Sequence, residues 1–333
     1  MNMDVVIYSS VRLSRNLKGW KFVSRLTSED IGSITLAETE AMDRLPGFRM
    51  RCLDDFSFAA RQLMAEKNHI LPQTVIGSGK YIAYGESSGD CFTVFNEEDH
   101  IRIKCFVPGA DLIKAYGRCA ETDAALRSVF EYQEHPVYGY LTSSVSDSGT
   151  GLHACSTFFL PGMAMEKRLD KFFAAAAQAG MLVKGYVDTS DSTPKGNIFI
   201  VENRVAAGKD PMEILPGMTE LFKQVAEMER ESRKRLLEGS RLDLEDKVMR
   251  AYGILRYCRK LTVWEALELI SDIKLGVGTG LIDIPDLAIN SLFIKIQKYH
   301  LLSESRRERN ERPDIDCLRA DFIREKLGIG ENK

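Results

Sequence analysis

Residues 96–104, NEEDHIRIK, place three carboxylates, one histidine and two cations within nine positions. Apolar residues alternate with Arg102 and Lys104, which predicts a strand that begins at about His100. Arg102 and Lys104 then point to the same face of this strand, directly after an acidic turn. A solvated hairpin tip is the simpler interpretation of such a charge run, and a site where charge does chemistry is the alternative.

A second group of cations lies in SSVRLSRN, residues 9–16. Arg12 and Arg15 are three positions apart, so in an extended segment they face opposite sides, and only one can join its strand neighbours at a ligand. An arginine on a sheet face suits a phosphate, because its planar fork donates several charge-assisted hydrogen bonds. An ion pair at a sheet edge is the alternative role for either arginine.

Strands must position both groups, and strand-length apolar runs recur in the first two thirds of the chain. These runs are VVIYSSVRL, YIAYG, CFTVF, IRIKCFV, YGYLTSS, ACSTFFLP and GNIFIVEN. Two segments between them have helical spacing, DLIKAYGRCAETDAALRSVF and MEKRLDKFFAAAAQAG, and the second ends at the natural stop Gly180. Several strands follow one another without a helix, which predicts an α+β fold with an antiparallel sheet flanked by helices.

The pattern becomes almost wholly helical from about residue 211 onward. The apolar residues Leu221, Phe222, Val225 and Met228 form one stripe of a helix that continues into a charged segment. We place a domain boundary near Gly239. The sequence thus predicts a first domain, which contains the sheet, over residues 1–238 and an all-helical C-terminal domain over residues 239–333.

Composition limits the classes of partner and the compartment. The chain of 333 residues is 44% hydrophobic and 28% charged, with a formal net charge of −3, which gives no general attraction to nucleic acid or to anionic membranes. The acids and bases of SESRRERNERP, residues 303–313, interleave, which favours a solvated linker over a nucleic-acid site. No membrane-spanning run or signal-peptide core is expected. Seven scattered cysteines without a C-x-x-C pair argue against disulfides and zinc, and predict a cytoplasmic protein.

Five segments together resemble one protein family. SSVRLSRNL, NEEDHIRI, YGYLTSSVSDSGTGLHA, GNIFIVENR and LRADFIREKL follow the order and spacing of motifs in the ATP:guanido phosphotransferases. They are most similar to the bacterial protein-arginine kinase branch, and the resemblance extends over nearly the whole chain. NEEDHIRI is the most specific of the five segments.

The resemblance implies a kinase mechanism in which ATP and Mg²⁺ take part. Glu98 is expected to grip the guanidino group and to act as the base, because a guanidinium is protonated at neutral pH and is a poor nucleophile. Arg102 and Arg12 are expected to contact the phosphates of ATP, which Mg²⁺ bridges. Asp191, or alternatively Asp188, falls where the family carries a second acidic residue in a loop.

The chain departs from the family pattern at several positions of the expected site. Ser10 and His153 replace two phosphate-binding arginines, Ser144 replaces a cysteine, and Asp147 replaces an asparagine. A lysine or a protonated His153 is expected to offset part of the lost positive charge. The cofactor-binding set implied by the resemblance is Ser9, Ser10, Arg12, Arg102, His153 and Lys184, with Lys195 as a further candidate cation.

The C-terminal segment IDCLRA, residues 315–320, also departs from the family pattern. The branch carries an RD-x-x-RA motif that binds phosphoarginine. Asp316, Arg319 and Ala320 match that motif, whereas Ile315 replaces its first arginine, so one phosphate contact is expected to be lost.

Two hypotheses for the function follow. The first is an ATP-dependent kinase that phosphorylates arginine in proteins, since kinases of free guanidines carry an N-terminal helical domain that we do not find in this sequence. The second is a pseudokinase that acts as a binding scaffold in protein quality control. The expected partners are a protein arginine substrate or quality-control proteins, and the helical domain makes a homodimer an expectation by resemblance alone. No nucleic acid and no membrane is expected as a partner.

Overall fold

The computed structural model describes residues 3–77, 79–85, 90–186, 194–204, 206, 210–305 and 314–329. The strands are β1 (Val6–Arg15), β2 (Phe48–Cys52), β3 (Tyr81–Gly85), β4 (Cys91–Phe95), β5 (Ile101–Pro108), β6 (Glu134–His135), β7 (Gly139–Tyr140), β8 (Leu152–Phe159), β9 (Met181–Gly185) and β10 (Ile198–Asn203). The helices are α1 (Ser28–Asp43), α2 (Phe58–Glu66), α3 (Leu112–Arg127), α4 (Pro161–Met165), α5 (Leu169–Gln178), α6 (Pro211–Gly239), α7 (Arg241–Tyr257), α8 (Val263–Gly278), α9 (Asp286–Lys295), α10 (Lys298–Glu304) and α11 (Ile315–Leu327).

Within these ranges, eight strands form one antiparallel sheet in the order β2-β3-β4-β5-β1-β8-β10-β9, and β6 pairs with β7 alone. The α+β architecture and the antiparallel sheet are therefore confirmed. The first strand of the chain lies in the middle of the sheet, between β5 and β8. This position brings residues 9–16 and residues 101–108 onto adjacent strands.

The two faces of the central strands differ in chemistry because successive side chains alternate between faces. Val11, Ile103 and Cys105 are buried and belong to the same apolar cluster as Ala115 and Cys119 of α3, which covers this face. The Asp111 side chain caps α3 by accepting a hydrogen bond from the Lys114 N–H at 3.0 Å. Helix α3 packs against one face of β1 and β5, and polar side chains occupy the opposite face of these strands.

The C-terminal helices pack on the sheet through a shared apolar core. Ile7, Phe159 and Ile198 of the strand region join a cluster with α7, α8, α9 and α11. The buried Glu229 of α6 accepts hydrogen bonds from the Gly162 and Met163 N–H groups at 2.9 Å and from Arg233 at 2.7 Å. Within the described ranges, no helix is long and apolar enough to cross a membrane.

Candidate active site

A row of polar side chains crosses the open face of three adjacent strands. Arg12 of β1 lies opposite Lys104 of β5 on one side and opposite His153 of β8 on the other. Arg102 points to the same face two residues before Lys104, and the pairing of β9 with β10 adds Lys184. We call this set of side chains the cationic face: Arg12, Arg102, Lys104, His153 and Lys184.

Arg12 pairs with a carboxylate from the loop that precedes β8. The Arg12 guanidinium forms an ion pair with the nearly buried Asp147. The loop closes on itself, because the Gly151 N–H donates to the Asp147 carbonyl at 2.8 Å. Gly151 has φ +68°, and a Cβ there would lie 2.4 Å from the Ser14 carbonyl oxygen, so only glycine fits at this approach to β1. The Arg12 Nε atom is buried and has no hydrogen-bond partner among the described residues.

The acidic turn at residues 97–99 is largely buried and internally bonded. The Glu97 carboxylate lies 2.5 Å from the Arg102 guanidinium and accepts hydrogen bonds from the Leu71 N–H and the Thr74 hydroxyl, both at 2.6 Å. Asp99 accepts from the Asn16 amide and from the Ser143 N–H, both at 2.7 Å. The solvated-hairpin interpretation is therefore wrong for these two carboxylates.

Glu98 is the one exposed residue of this acidic turn. Its neighbours on both sides are fixed by the hydrogen bonds just described, and its own carbonyl accepts from the Ser143 hydroxyl at 2.7 Å. The backbone of Glu98 is thus fixed by hydrogen bonds of residues 97, 98 and 99, while its side chain is exposed to solvent. Asp191 and Asp188, the expected second acidic residues, lie outside the described residues.

Burial and charge act in opposite directions on Arg102. Burial lowers the pKa of this guanidinium, the adjacent Glu97 carboxylate raises it, and Arg12 lowers it again. The net direction is downward from the ordinary value, and an arginine is ordinarily charged at neutral pH. Arg102 therefore supplies a fixed positive charge that is only 3% exposed.

Glu202 of β10 joins two of the expected phosphate ligands. Its carboxylate lies 2.9 Å from the Lys184 Nζ and 3.5 Å from the His153 Nε2. Burial raises the pKa of Glu202, but hydrogen bonds from His153 and Lys184 lower it to about 2. Burial disfavours the charged form of His153, yet its contacts with Cys155 and Glu202 raise the net pKa above the ordinary 6.5. His153 and Lys184 thus share one carboxylate at the edge of the cationic face.

Lys104 and Cys155 occupy the middle of the cationic face. The Lys104 Nζ donates to the Asn68 carbonyl at 3.1 Å and lies 4.7 Å from the centre of the Phe106 ring. Burial, followed by Arg102, lowers the pKa of Lys104 to about 7. Burial raises the pKa of the Cys155 thiol, but His153, Lys104 and Ser10 lower it to about 7. The Ser10 hydroxyl contacts the Cys155 sulfur at 3.2 Å.

Ser9, one of the expected cofactor ligands, points away from the cationic face, and the further candidate Lys195 is paired elsewhere. Ser9 lies on the opposite, helix-covered side of β1, where its hydroxyl donates to the Gly109 carbonyl at 2.6 Å and contacts the Ser156 hydroxyl at 2.6 Å. Because its face is set by the two-residue period of the strand, we do not include Ser9 in the proposed site. Lys195 pairs with Glu268 of α8 at 3.1 Å.

Arg319 in the C-terminal segment is a buried structural residue. Its guanidinium donates to the Ile296 carbonyl at 2.9 Å, to the Leu261 carbonyl at 2.6 Å and to Asp316 at 2.5 Å. These bonds tie α11 to the end of α9 and to the segment directly before α8, and Arg319 is only 4% exposed. The Arg319 side chain therefore stabilises the packing of the C-terminal helices in this structure.

Sequence reasoning did not assign Lys104 or Glu202 to the site. The alternation in IRIK does place Lys104 beside Arg102, and that pattern was sufficient to include it. Glu202 lies within GNIFIVENR, but its contact with Lys184 depends on the pairing of β9 with β10, which the sequence does not specify. Among the described residues, no group of three or more His, Cys, Asp or Glu side chains is placed to hold a metal ion.

Comparison with solved structures gives the class of fold. A duplicated taurocyamine kinase from Schistosoma mansoni, with bound transition-state analogue components, matches with a TM-score of 0.59 and 20% identity, over 75% of this chain and 36% of that chain. A lombricine kinase matches with a TM-score of 0.57 and 19% identity, over 72% of this chain and 69% of that chain. The chain thus has the fold of these kinases.

Comparison of sequences gives the family. The model of the ATP:guanido phosphotransferase C-terminal catalytic domain matches residues 33–232, and that of the protein-arginine kinase McsB C-terminal domain matches residues 241–333. A protein-arginine kinase of Syntrophomonas wolfei is 34% identical over 98% of this chain and 93% of its own length. That of Bacillus subtilis is 30% identical over 99% of this chain and 92% of its own length. The chain therefore belongs to the ATP:guanido phosphotransferase family, and the comparisons do not support the pseudokinase alternative.

Proposed function

We propose that this protein transfers the γ-phosphoryl group of ATP to the guanidino group of an arginine in a protein substrate. The observation that carries the proposal is the exposed Glu98 on a rigid turn beside the cationic face. A carboxylate that stays in solvent next to fixed cations can orient a guanidinium against a phosphoryl group. The protein-arginine kinases among the relatives support the choice of a protein substrate.

The proposed reaction uses this chain's own residues as follows. Glu98 pairs with the substrate guanidinium and accepts a proton from it, which leaves a nitrogen lone pair for attack. The N–P bond forms while the bond between the γ-phosphorus and its bridging oxygen breaks, so that ADP leaves. Arg12 and Arg102 hold phosphate oxygens in line with the attacking nitrogen, and His153 and Lys184 lie at the edge of the same face.

The cationic face fits a nucleotide triphosphate. The Arg12 and Arg102 Nε atoms are buried without hydrogen-bond partners among the described residues, so the fold does not satisfy every donor of either guanidinium. Mg²⁺, as in the family, would neutralise phosphate charge during transfer. Ser10 can donate a hydroxyl proton but no charge, and Asp191 is retained in the proposal as the second acidic residue.

We also propose the compartment, the domain organisation and the partners of this protein. We expect a cytoplasmic protein with a catalytic domain over residues 1–238 and a helical domain over residues 239–333. Quality-control proteins and a second copy of the chain are the proposed partners, and neither nucleic acid nor a membrane is expected to bind.

The test begins with calorimetry of Mg-ATP binding, followed by mass spectrometry of arginine phosphorylation in an unfolded protein substrate. We expect Glu98→Gln to lower the turnover number by about 100-fold or more, because it removes the base, while ATP affinity stays within about twofold. Glu121→Gln, an exposed glutamate on α3, serves as the matched control. A wild-type protein that binds no ATP at millimolar concentration would refute the proposed function.

A further inference from the structure

The cations of the face are not equally available to a ligand. Arg12 pairs with Asp147, and Arg102 pairs with Glu97. His153 and Lys184 share Glu202. Lys104 differs from all of these, because no carboxylate of the described residues lies within ion-pair distance of its Nζ. Its described contacts are a backbone carbonyl and an aromatic ring.

The position of Lys104 is also central. Its backbone lies directly opposite Arg12 in the β1–β5 pair, and its side chain projects beside that of Arg102. Strand β5 is paired on both sides, with β1 and β4, so the stem of Lys104 is anchored in the interior of the sheet. We expect a phosphate that contacts both arginines to lie near this ammonium group, since Arg12 and Arg102 are close enough to lower the pKa of Lys104.

We propose that Lys104 is a phosphate-binding residue of the nucleotide site. Its positive charge would compensate for the two arginines that the family resemblance implies at positions 10 and 153. The inference rests on the proposed function and deepens it by adding a ligand to the same site. Lysine binds phosphate as a compact point charge, and losing one charge-assisted contact of this kind weakens binding by about 10- to 100-fold. The Asn68 carbonyl bond is the only described hydrogen bond that Lys104 must give up.

The surroundings of Lys104 make this contact depend on pH. Burial and the neighbouring arginines lower the pKa of free Lys104 to about 7. The charged or titratable groups that face it are Arg12 on β1, Arg102 on β5, Cys155 on β8, Glu97 in the turn and His69 after α2. A bound phosphate favours the ammonium form, so above pH 7 binding takes up a proton. The affinity for phosphate should therefore fall as pH rises above 7, by up to about tenfold per pH unit.

The experiment measures Mg-ATP and Mg-ADP affinity by calorimetry for wild type, Lys104→Met and Lys104→Arg. Lys114→Met, an exposed lysine on α3, is the matched control. We expect Lys104→Met to weaken both nucleotides by about 10- to 100-fold and Lys114→Met to leave them unchanged. Lys104→Arg should retain binding to within about fivefold.

The pH arm uses pH 8 and 9 in buffers of different ionisation enthalpy, where the terminal phosphate is already ionised. Wild type should take up a proton on binding, and Lys104→Arg should take up less, although Cys155 is identical in both proteins. Circular dichroism confirms that each variant folds.

Two results overturn the inference while leaving the proposed function intact. One is a folded Lys104→Met protein that binds Mg-ATP as tightly as wild type. The other is equal proton uptake by wild type and Lys104→Arg. A wild type that binds no nucleotide refutes the proposed function itself, so the two failures are distinguishable.

Discussion

At the scale of single residues, the candidate site is a set of cations that are mostly neutralised before any ligand arrives. Asp147 is the clearest case, because it is nearly buried and its carboxylate contacts Arg12 directly. An anionic ligand that uses Arg12 must compete with this carboxylate or share the guanidinium with it. An asparagine at this position, as the resemblance to the family implies, would hold the loop without cancelling the charge.

We therefore predict that Asp147→Asn strengthens Mg-ATP binding by about 10- to 100-fold, since charge-assisted hydrogen bonds contribute about 1.5–3 kcal/mol. Calorimetry at pH 7.5 measures the change. The matched control is Asp123→Asn, which removes the partner of Arg15 at 2.8 Å on the opposite face of β1. That control should lower stability without changing ATP affinity, and unchanged or weaker binding by Asp147→Asn would contradict the prediction.

Residue-level sequence reasoning succeeded where the strand period alone decides the outcome. Arg12 and Arg15 do face opposite sides, and Arg102 and Lys104 do share one face. It failed where a distant segment decides. The pairing of Arg12 with Asp147 depends on how the loop before β8 returns to β1, and nothing in the local pattern of either segment specifies that approach.

At the scale of elements, α1 supports the acidic turn through one buried contact. Asn96, which has φ 58°, donates from its side-chain amide to the Glu38 carboxyl of α1 at 2.6 Å. The second Glu38 oxygen and the Asn96 Oδ1 atom are both buried without partners among the described residues. A protonated Glu38 could donate to that amide oxygen and satisfy both groups. Burial raises the pKa of Glu38 well above 4.5, which favours this protonated form, although the hydrogen bond from Asn96 opposes it.

Glu38→Gln should stabilise the protein at pH 8 by about 1–3 kcal/mol, because glutamine replaces a carboxyl that the unfolded chain prefers to ionise. The folded pKa of Glu38 is raised, so its contribution to stability is fully present below pH 4.5 and is lost as pH rises through the folded pKa. The advantage of the glutamine variant should therefore vanish near pH 4. Urea unfolding at pH 4, 6 and 8 measures this dependence, and a pH-independent difference would argue against a protonated Glu38.

The elements themselves were predicted in part. The strands that carry the site follow from alternation and apolar runs, and α3 follows from its helical spacing. Strands β2 and β9 were not predicted, since FRMRC and MLVKG are short and lie at the two edges of the sheet. The segment MEKRLDKFFAAAAQAG was expected to be one helix, but Lys167 has φ 55° and α5 begins only at Leu169.

At the scale of the whole molecule, a contact between distant segments joins the strand region to the C-terminal helices. Glu66, at the end of α2, accepts hydrogen bonds from the Tyr299 and His300 N–H groups and contacts the His300 Nδ1 atom, all at 2.9 Å. These N–H groups belong to the first turn of α10 and have no partner within that helix. Glu66 therefore caps α10 from another part of the chain.

We predict that Glu66→Ala lowers the free energy of unfolding by about 1–2 kcal/mol, as expected for the loss of a helix cap. Urea unfolding at pH 7.5 is the measurement. Glu121→Ala, which removes an exposed carboxylate from α3, should stay within about 0.5 kcal/mol of wild type. Equal stability of the two variants would show that the α2–α10 contact contributes nothing. The proposed boundary at residues 238 and 239 remains a prediction that this contact does not test.

The central place of β1 has a consequence for how the chain reaches its native state. During synthesis the first strand emerges long before either of its neighbours, β5 and β8, has been made. Pairings between segments so far apart in sequence are slow to form, because the entropy of closing a long loop must be overcome first. A ribosome-bound nascent chain that ends before β8 should therefore expose one whole edge of β1. Nascent chains of that length are where we expect chaperone binding and aggregation to concentrate.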